Sequence, residues 1–135
     1  MLKKDYLVRQ LEEFGKVLAI ILGAKKQNDW EKLEKEIYEA TKKFASLEIN
    51  YVESLYSAAF EKEIINHPTL SLEQKKILGD LLFEKLNFYL AKDNKEKYLL
   101  LKAHCLALYN HIQNNFTQNE FNLDVYYKLG FLNKL

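Results

Sequence analysis

One proline, Pro68, and four glycines are the only strong breakers in a chain of 135 residues. An all-β domain needs frequent turns, and turns draw heavily on glycine and proline. So sparse a supply favours long, uninterrupted helices. Apolar residues make up 48% and charged residues 29%, enough for a core and inconsistent with intrinsic disorder. At this length about two thirds of the unfolded chain's surface can be buried. Residues 1–135 are therefore expected to form a single domain.

Apolar spacing places the helices. Leu7, Leu11, Phe14, Leu18 and Ile21 alternate at intervals of four and three, which predicts a first helix over residues 4–26. Gly15 within it offers a close helix crossing. Asn28, with Glu31 three residues later, is the expected N-cap of a second helix carrying Trp30, Leu33, Ile37, Ala40 and Phe44. Its outer face pairs Glu31 with Lys35 and Glu39 with Lys43, and Lys42-Lys43 lies near its end, as the helix dipole favours. A third, shorter helix from Asn50 through Val52, Leu55, Tyr56, Ala59 and Ile64 must stop before Pro68. Ser71-Leu72-Glu73-Gln74 reads as a capping box for a fourth, through Leu78, Leu81, Leu82, Leu86 and Tyr89. The fifth carries Tyr98, Leu101, Cys105, Leu108 and Ile112. A sixth, capped by Thr117 with Glu120, contains Phe121, Val125, Leu129 and Leu132. The expected fold is all-α, about six antiparallel helices in one compact domain.

Charge and cysteine usage narrow the function classes. Twenty basic residues against nineteen acidic ones leave a net charge of +1, with no basic stripe of the kind nucleic-acid binders carry. Arg9 is the sole arginine, so bidentate recognition of phosphate or guanine is poorly supplied. Nucleic acid is not an expected partner. The apolar run Val17–Ala24 is far short of the roughly 20 residues that span a bilayer. Acids at Asp5, Glu12 and Glu13 precede it, and Lys25-Lys26-Gln27 follows where a signal peptide would have small residues. Neither membrane insertion nor secretion is expected. Cys105 is the only cysteine, which excludes an intrachain disulfide and suits a cytoplasmic location.

Catalytic chemistry finds little support. Cys105 falls in an apolar stripe, where a thiol is inert. There is no glycine-rich phosphate loop and no serine elbow. His104 and His111 share a helical face but stand about 10 Å apart along the axis. One metal ion needs its ligands about 2 Å away, so they cannot share it. Carboxylates interleaved with lysines read as solvated outer faces. No catalytic residue, cofactor or metal is expected, and the chain is read as non-enzymatic.

Two hairpins look alike. The turns Gln27-Asn28-Asp29-Trp30 and Lys92-Asp93-Asn94-Lys95 each join an apolar helix to an amphipathic one, about two 34-residue repeats apart. The first resembles the inter-helix turn of a tetratricopeptide (TPR) motif. Trp30, Ile37 and Ala40 agree with that motif. Ile21 stands where its glycine belongs, Leu33 replaces its packing alanine, and Tyr98 does so in the second hairpin. With Lys4-Asp5-Tyr6-Leu7-Val8-Arg9-Gln10 and Ile20-Ile21-Leu22, the chain is similar to a group of short, uncharacterised bacterial TPR-like helical proteins. The resemblance implies a TPR-like hairpin array with a concave face, and leaves function open.

The leading expectation is a non-catalytic protein–protein interaction module that takes a peptide or protein partner. Aromatic residues reach 13%, with nine tyrosines, and tyrosine suits interfaces. Tyr126, Tyr127 and Phe131 put aromatics on more than one face of the last helix, which either makes them candidate partner contacts or wedges that helix deeply between the earlier ones. Arg9 is a fourth, either as an anchor for a partner carboxylate or simply as the i,i+4 mate of Asp5. The alternatives are a homodimer joined through the last helix and a helical bundle that binds a small molecule.

Overall fold

The computed structural model describes residues 2–115 and 122–135. Among the described residues there are seven α-helices and no strand: α1 (Leu2–Lys26), α2 (Trp30–Ala45), α3 (Ile49–Ser54), α4 (Ser57–Phe60), α5 (Leu72–Ala91), α6 (Lys95–Asn115) and α7 (Asn122–Asn133). A π-helical turn, Glu61–Ile65, continues α4. The cap expected at Thr117 and Glu120, and Phe121 after it, lie outside the described residues.

The two hairpin turns have the same construction. Asn28 and Asp93 both adopt left-handed backbone, φ 58° and 56°, a conformation Asn and Asp tolerate better than most residues. The next residue caps the following helix in each case. Asp29 Oδ1 accepts from the Lys32 amide at 3.2 Å, and Asn94 Oδ1 accepts from the Lys97 amide at 3.2 Å. The N-cap of α2 is thus Asp29, one residue beyond the expected Asn28, because Asn28 closes α1. The Ser71–Gln74 capping box forms in both directions, at 2.9 and 3.0 Å.

The expected third helix is broken. Leu55 and Tyr56 are extended and separate α3 from α4. Ser54 Oγ donates to the Tyr51 carbonyl at 2.6 Å, a local bond that competes with helix continuation. The break lets Ile49 and Val52 on one side, and Phe60 and Ile64 on the other, all reach the core.

Helix α5 lies at the centre, packed against α1, α2 and α6, and α7 lies on α6. Enclosure is nearly complete: Ile77, Leu78, Leu81, Leu82 and Leu86 are fully buried, and so nearly are Lys75, Lys76, Asp80, Glu84 and Lys85. This corrects the expectation that interleaved charges mark solvated faces. It holds for α2, whose Glu31, Lys35, Glu39 and Lys43 are exposed, and fails for α5. A helix surrounded on all sides must bury whatever its sequence supplies, and buried charges then need partners. Lys25 reaches Glu84 at 2.7 Å, and Lys85 reaches Glu53 at 3.0 Å. Tyr89 also donates its hydroxyl to Glu53.

The close helix approach occurs at Gly79, not at Gly15. A Cβ on Gly79 would stand 3.1 Å from the Tyr109 ring, whereas one on Gly15 would meet nothing within 4 Å. Tyr109 is fully buried and its hydroxyl is fixed on Asp80 at 2.7 Å, so the ring has little room to retreat. Gly15→Ala should therefore stabilise the fold by up to about 1 kcal/mol through helix propensity. Gly79→Ala should lose about 1 kcal/mol net, as overpacking outweighs that gain. Urea midpoints of the two variants check the opposite signs.

Candidate functional site: the aromatic groove between α6 and α7

The orientation of α7 is set by what it buries. Val125, Leu129 and Leu132 enter the core. Beside them, Asp124 and Lys128, one turn apart, face a charge cluster on α5. Lys128 Nζ lies 2.9 Å from Asp80 Oδ1 and 3.0 Å from Asp124 Oδ2. Lys76 Nζ lies 2.6 Å from Asp80 Oδ2 and 2.8 Å from Asp124 Oδ2. The Tyr109 hydroxyl donates to Asp80 Oδ1. Two lysines and two aspartates balance, and each aspartate bridges both lysines. Burial alone would lower the Lys128 pKa, but Asp80 and Asp124 outweigh it and hold the ammonium above the ordinary lysine value. Burial likewise pushes Asp124 up, yet Lys76 and Lys128 keep its carboxyl below the ordinary range. The Tyr109 hydroxyl is driven upward by burial and by Asp80, so it stays protonated and donating.

With that face pinned inward, the other face of α7 is open. Tyr126 and Tyr127 are 64% and 66% exposed, with rings 5.8 Å apart edge to face. Phe131 is half-exposed, and its ring is braced edge-on by Phe83 at 5.4 Å. These three line one side of a groove of about 720 Å³, which Asn110 and Gln113 of α6 bound on the other. Asn133 and Lys134 add an amide and an ammonium. Such a groove supplies apolar area, hydrogen-bonding amides and one positive charge. These groups bind and orient, and none is poised as a nucleophile.

Arg9 is elsewhere. It is exposed on α1 and lines a separate recess of about 320 Å³ with Tyr6, Glu13 and Lys43. Among the described residues no ion pair joins it to Asp5; Glu13 pairs with Lys43 at 3.4 Å. The expected Asp5–Arg9 bridge is therefore not formed, and Arg9 shares no lining residue with the aromatic groove. Under this recess, Gln10 and Gln74 both donate to the Phe44 carbonyl, at 3.3 and 3.1 Å, tying α1 and α5 to the end of α2.

The histidines and the cysteine fall into unlike settings. Cys105 is fully buried, and burial pushes its thiol pKa up, which keeps it protonated. His111 is half-buried beside Lys75, whose Nζ stands 3.4 Å from Nε2. His104 is fully buried against Phe60. Among the described residues no group of three or more His, Cys, Asp or Glu side chains could hold a metal ion. No helix there is long and apolar enough to cross a membrane. No protein-family model, curated protein or solved structure matches the chain at a significant level.

The aromatics of α7 stood out in the sequence, but whether they face the core or solvent did not; Tyr126 and Tyr127 are both exposed. The charge cluster behind them did not stand out. Its only sequence signal is an acid and a lysine at i,i+4 on α5 and again on α7, a pattern common on solvated faces.

Proposed function

We propose that the chain is a non-catalytic protein–protein interaction module in which two degenerate TPR-like hairpins, α1–α2 and α5–α6, support a peptide-binding groove along α7. The observation that carries this reading is the display of Tyr126, Tyr127 and Phe131 around one groove, on a helix tied from behind to α5 by the ion pairs Lys128–Asp80 and Asp124–Lys76. Aromatic side chains on a rigid backing lose little entropy on binding, which makes them effective anchors. The matching turns at Asn28-Asp29 and Asp93-Asn94 support the paired-hairpin reading. The occupant is a short segment of a partner protein, apolar at its centre, with an acidic residue set to meet Lys134. Nucleic acid is a poor fit to a groove with one lysine and no arginine. The module works in the cytoplasm, where the buried thiol of Cys105 stays reduced.

A displayed peptide library selected on the intact protein tests this. Peptides sharing an apolar centre and a flanking acid are expected, and Tyr127→Glu and Phe131→Glu should each weaken them by at least about tenfold. Tyr127 is 66% exposed, so Tyr127→Glu should keep the wild-type melting temperature, whereas Phe131→Glu gives up the contact with Phe83 and should lower it modestly. Equal binding by the variants would contradict the proposed groove. A concentration-dependent dimer that Tyr127→Glu dissolves would favour the homodimer instead.

A further inference from the structure

Opposite the aromatic wall of the α7 groove, α6 offers a different chemistry. Asn110 and Gln113 are exposed and line the groove, and among the described residues neither side-chain amide hydrogen-bonds another residue. They stand three apart on one helix, so their Cβ atoms lie about 5–6 Å from one another on the same face. Each amide can donate and accept at once.

These amides match an extended chain better than a helix. In an extended segment the backbone N–H and C=O groups have no partner of their own, and those on one edge recur every second residue, about 6.6 Å apart. A helix spends its backbone groups on itself, apart from the first four N–H and the last four C=O. Against a helical partner, Asn110 and Gln113 would meet only side chains.

The α7 wall has room for a backbone. Gly130 lines the groove, and a Cβ there would meet nothing within 4 Å, so a chain can come close to α7 at that point. From Tyr126 to Asn133 the helix rises about 11 Å. That is the length of only about three or four extended residues. Lys134 alone is charged among the described residues that line the groove, and no carboxylate among them answers it. A complementary segment therefore brings one negative charge.

We infer that the groove takes a short segment in extended form, its backbone running over Gly130 and hydrogen-bonded along one edge by Asn110 and Gln113, with a carboxylate side chain set on Lys134. This rests on the peptide-binding reading of the α7 groove. It adds the conformation of the partner and the residues that read its backbone.

Two peptide sets compared on the intact protein test it. One holds acetylated, amidated pentapeptides with a glutamate at either end and apolar residues between. The other holds alanine-rich helical peptides of about 15 residues that carry the same side chains along one face. Retention of pentapeptides above the helical set is expected. Asn110→Ala and Gln113→Ala should each weaken them about three- to tenfold, the effect of losing one or two neutral hydrogen bonds. Gly130→Leu should weaken them more than tenfold, while its melting temperature equals or exceeds that of the parent, because leucine is the better helix former and its Cβ has open space. Preferential retention of the helical set, lost in Tyr127→Glu, would overturn the extended occupant and leave the groove as a peptide site. Pentapeptide binding unchanged in Gly130→Leu and in both alanine variants would also overturn the inference. Retention of neither set would overturn it together with the peptide-binding reading.

Discussion

Asp80→Ala is expected to cost about 3–5 kcal/mol of folding stability, the range for removing one partner from a buried ion pair. Asp80 is 5% exposed and accepts from Lys76, Lys128 and Tyr109 at once. Its removal leaves Lys128 with the half-exposed Asp124 alone and deprives the buried Tyr109 hydroxyl of its acceptor. Domains of this size are stable by only about 5–15 kcal/mol, so the alanine variant should melt far below the parent. Asp80→Asn, which keeps an acceptor for Tyr109, should cost less. The cluster acts as a unit, so Asp80→Asn combined with Lys128→Met should lose less than the sum of the two single changes. Urea denaturation of the four proteins measures this. A loss below about 1 kcal/mol for Asp80→Ala would mean that the apolar contacts of α7, and not its charges, fix the helix.

Mild acid is expected to destabilise the protein through His104. Burial in the apolar setting of Phe60 and Leu55 lowers its pKa from 6.5 to about 4, against the opposing pull of the Leu55 carbonyl and Glu53. The unfolded chain therefore takes up this proton first as the pH falls. Stability tied to His104 is intact above pH 6.5 and is lost progressively down to about pH 4, where the folded form also protonates. The loss over that window amounts to about 3 kcal/mol. His111 has its pKa lowered by burial and by Lys75 and adds to the slope in the same direction. Asp124, held low by its lysines, contributes only at more acid pH. His104→Phe isolates the effect. Unfolding free energies at pH 7.5 and pH 4.5 should differ far less in that variant than in the parent, and an unchanged slope would assign the acid sensitivity elsewhere.

Legibility in the sequence followed from how completely each helix is enclosed. Helix α2 has one face in the core and one in water, so its three–four stripe and its exposed charged face were both readable. Among the described residues, however, neither expected pair, Glu31–Lys35 nor Glu39–Lys43, forms, and Lys43 pairs with Glu13 instead. The capping box at Ser71 was readable because it uses only neighbouring residues. Helix α5 is enclosed all round, and burial there has no period to detect; Asp80 and Lys85 look in sequence like surface residues. The break at Leu55-Tyr56 was hidden because neither residue is a breaker. The side-chain bond of Ser54 and the competing demands of the core cause it together. Gly15 and Gly79 are indistinguishable as letters, and only the position of Tyr109 separates them. For the groove, the aromatic side was visible in Tyr126, Tyr127 and Phe131, while its partner side, Asn110 and Gln113, depends on how α7 folds back on α6. Arg9 was singled out as the sole arginine, a compositional reason that says nothing about where it sits.

The most direct measurement is a photo-reactive amino acid in place of Tyr127, activated in the intact protein inside its own host, with the crosslinked segments mapped. Crosslinks to one segment of another protein, apolar with an adjacent acid, are the expected result. Crosslinks confined to a second copy of this chain, or none above those from a control position on the exposed face of α2, would contradict a peptide-binding role for the α7 groove.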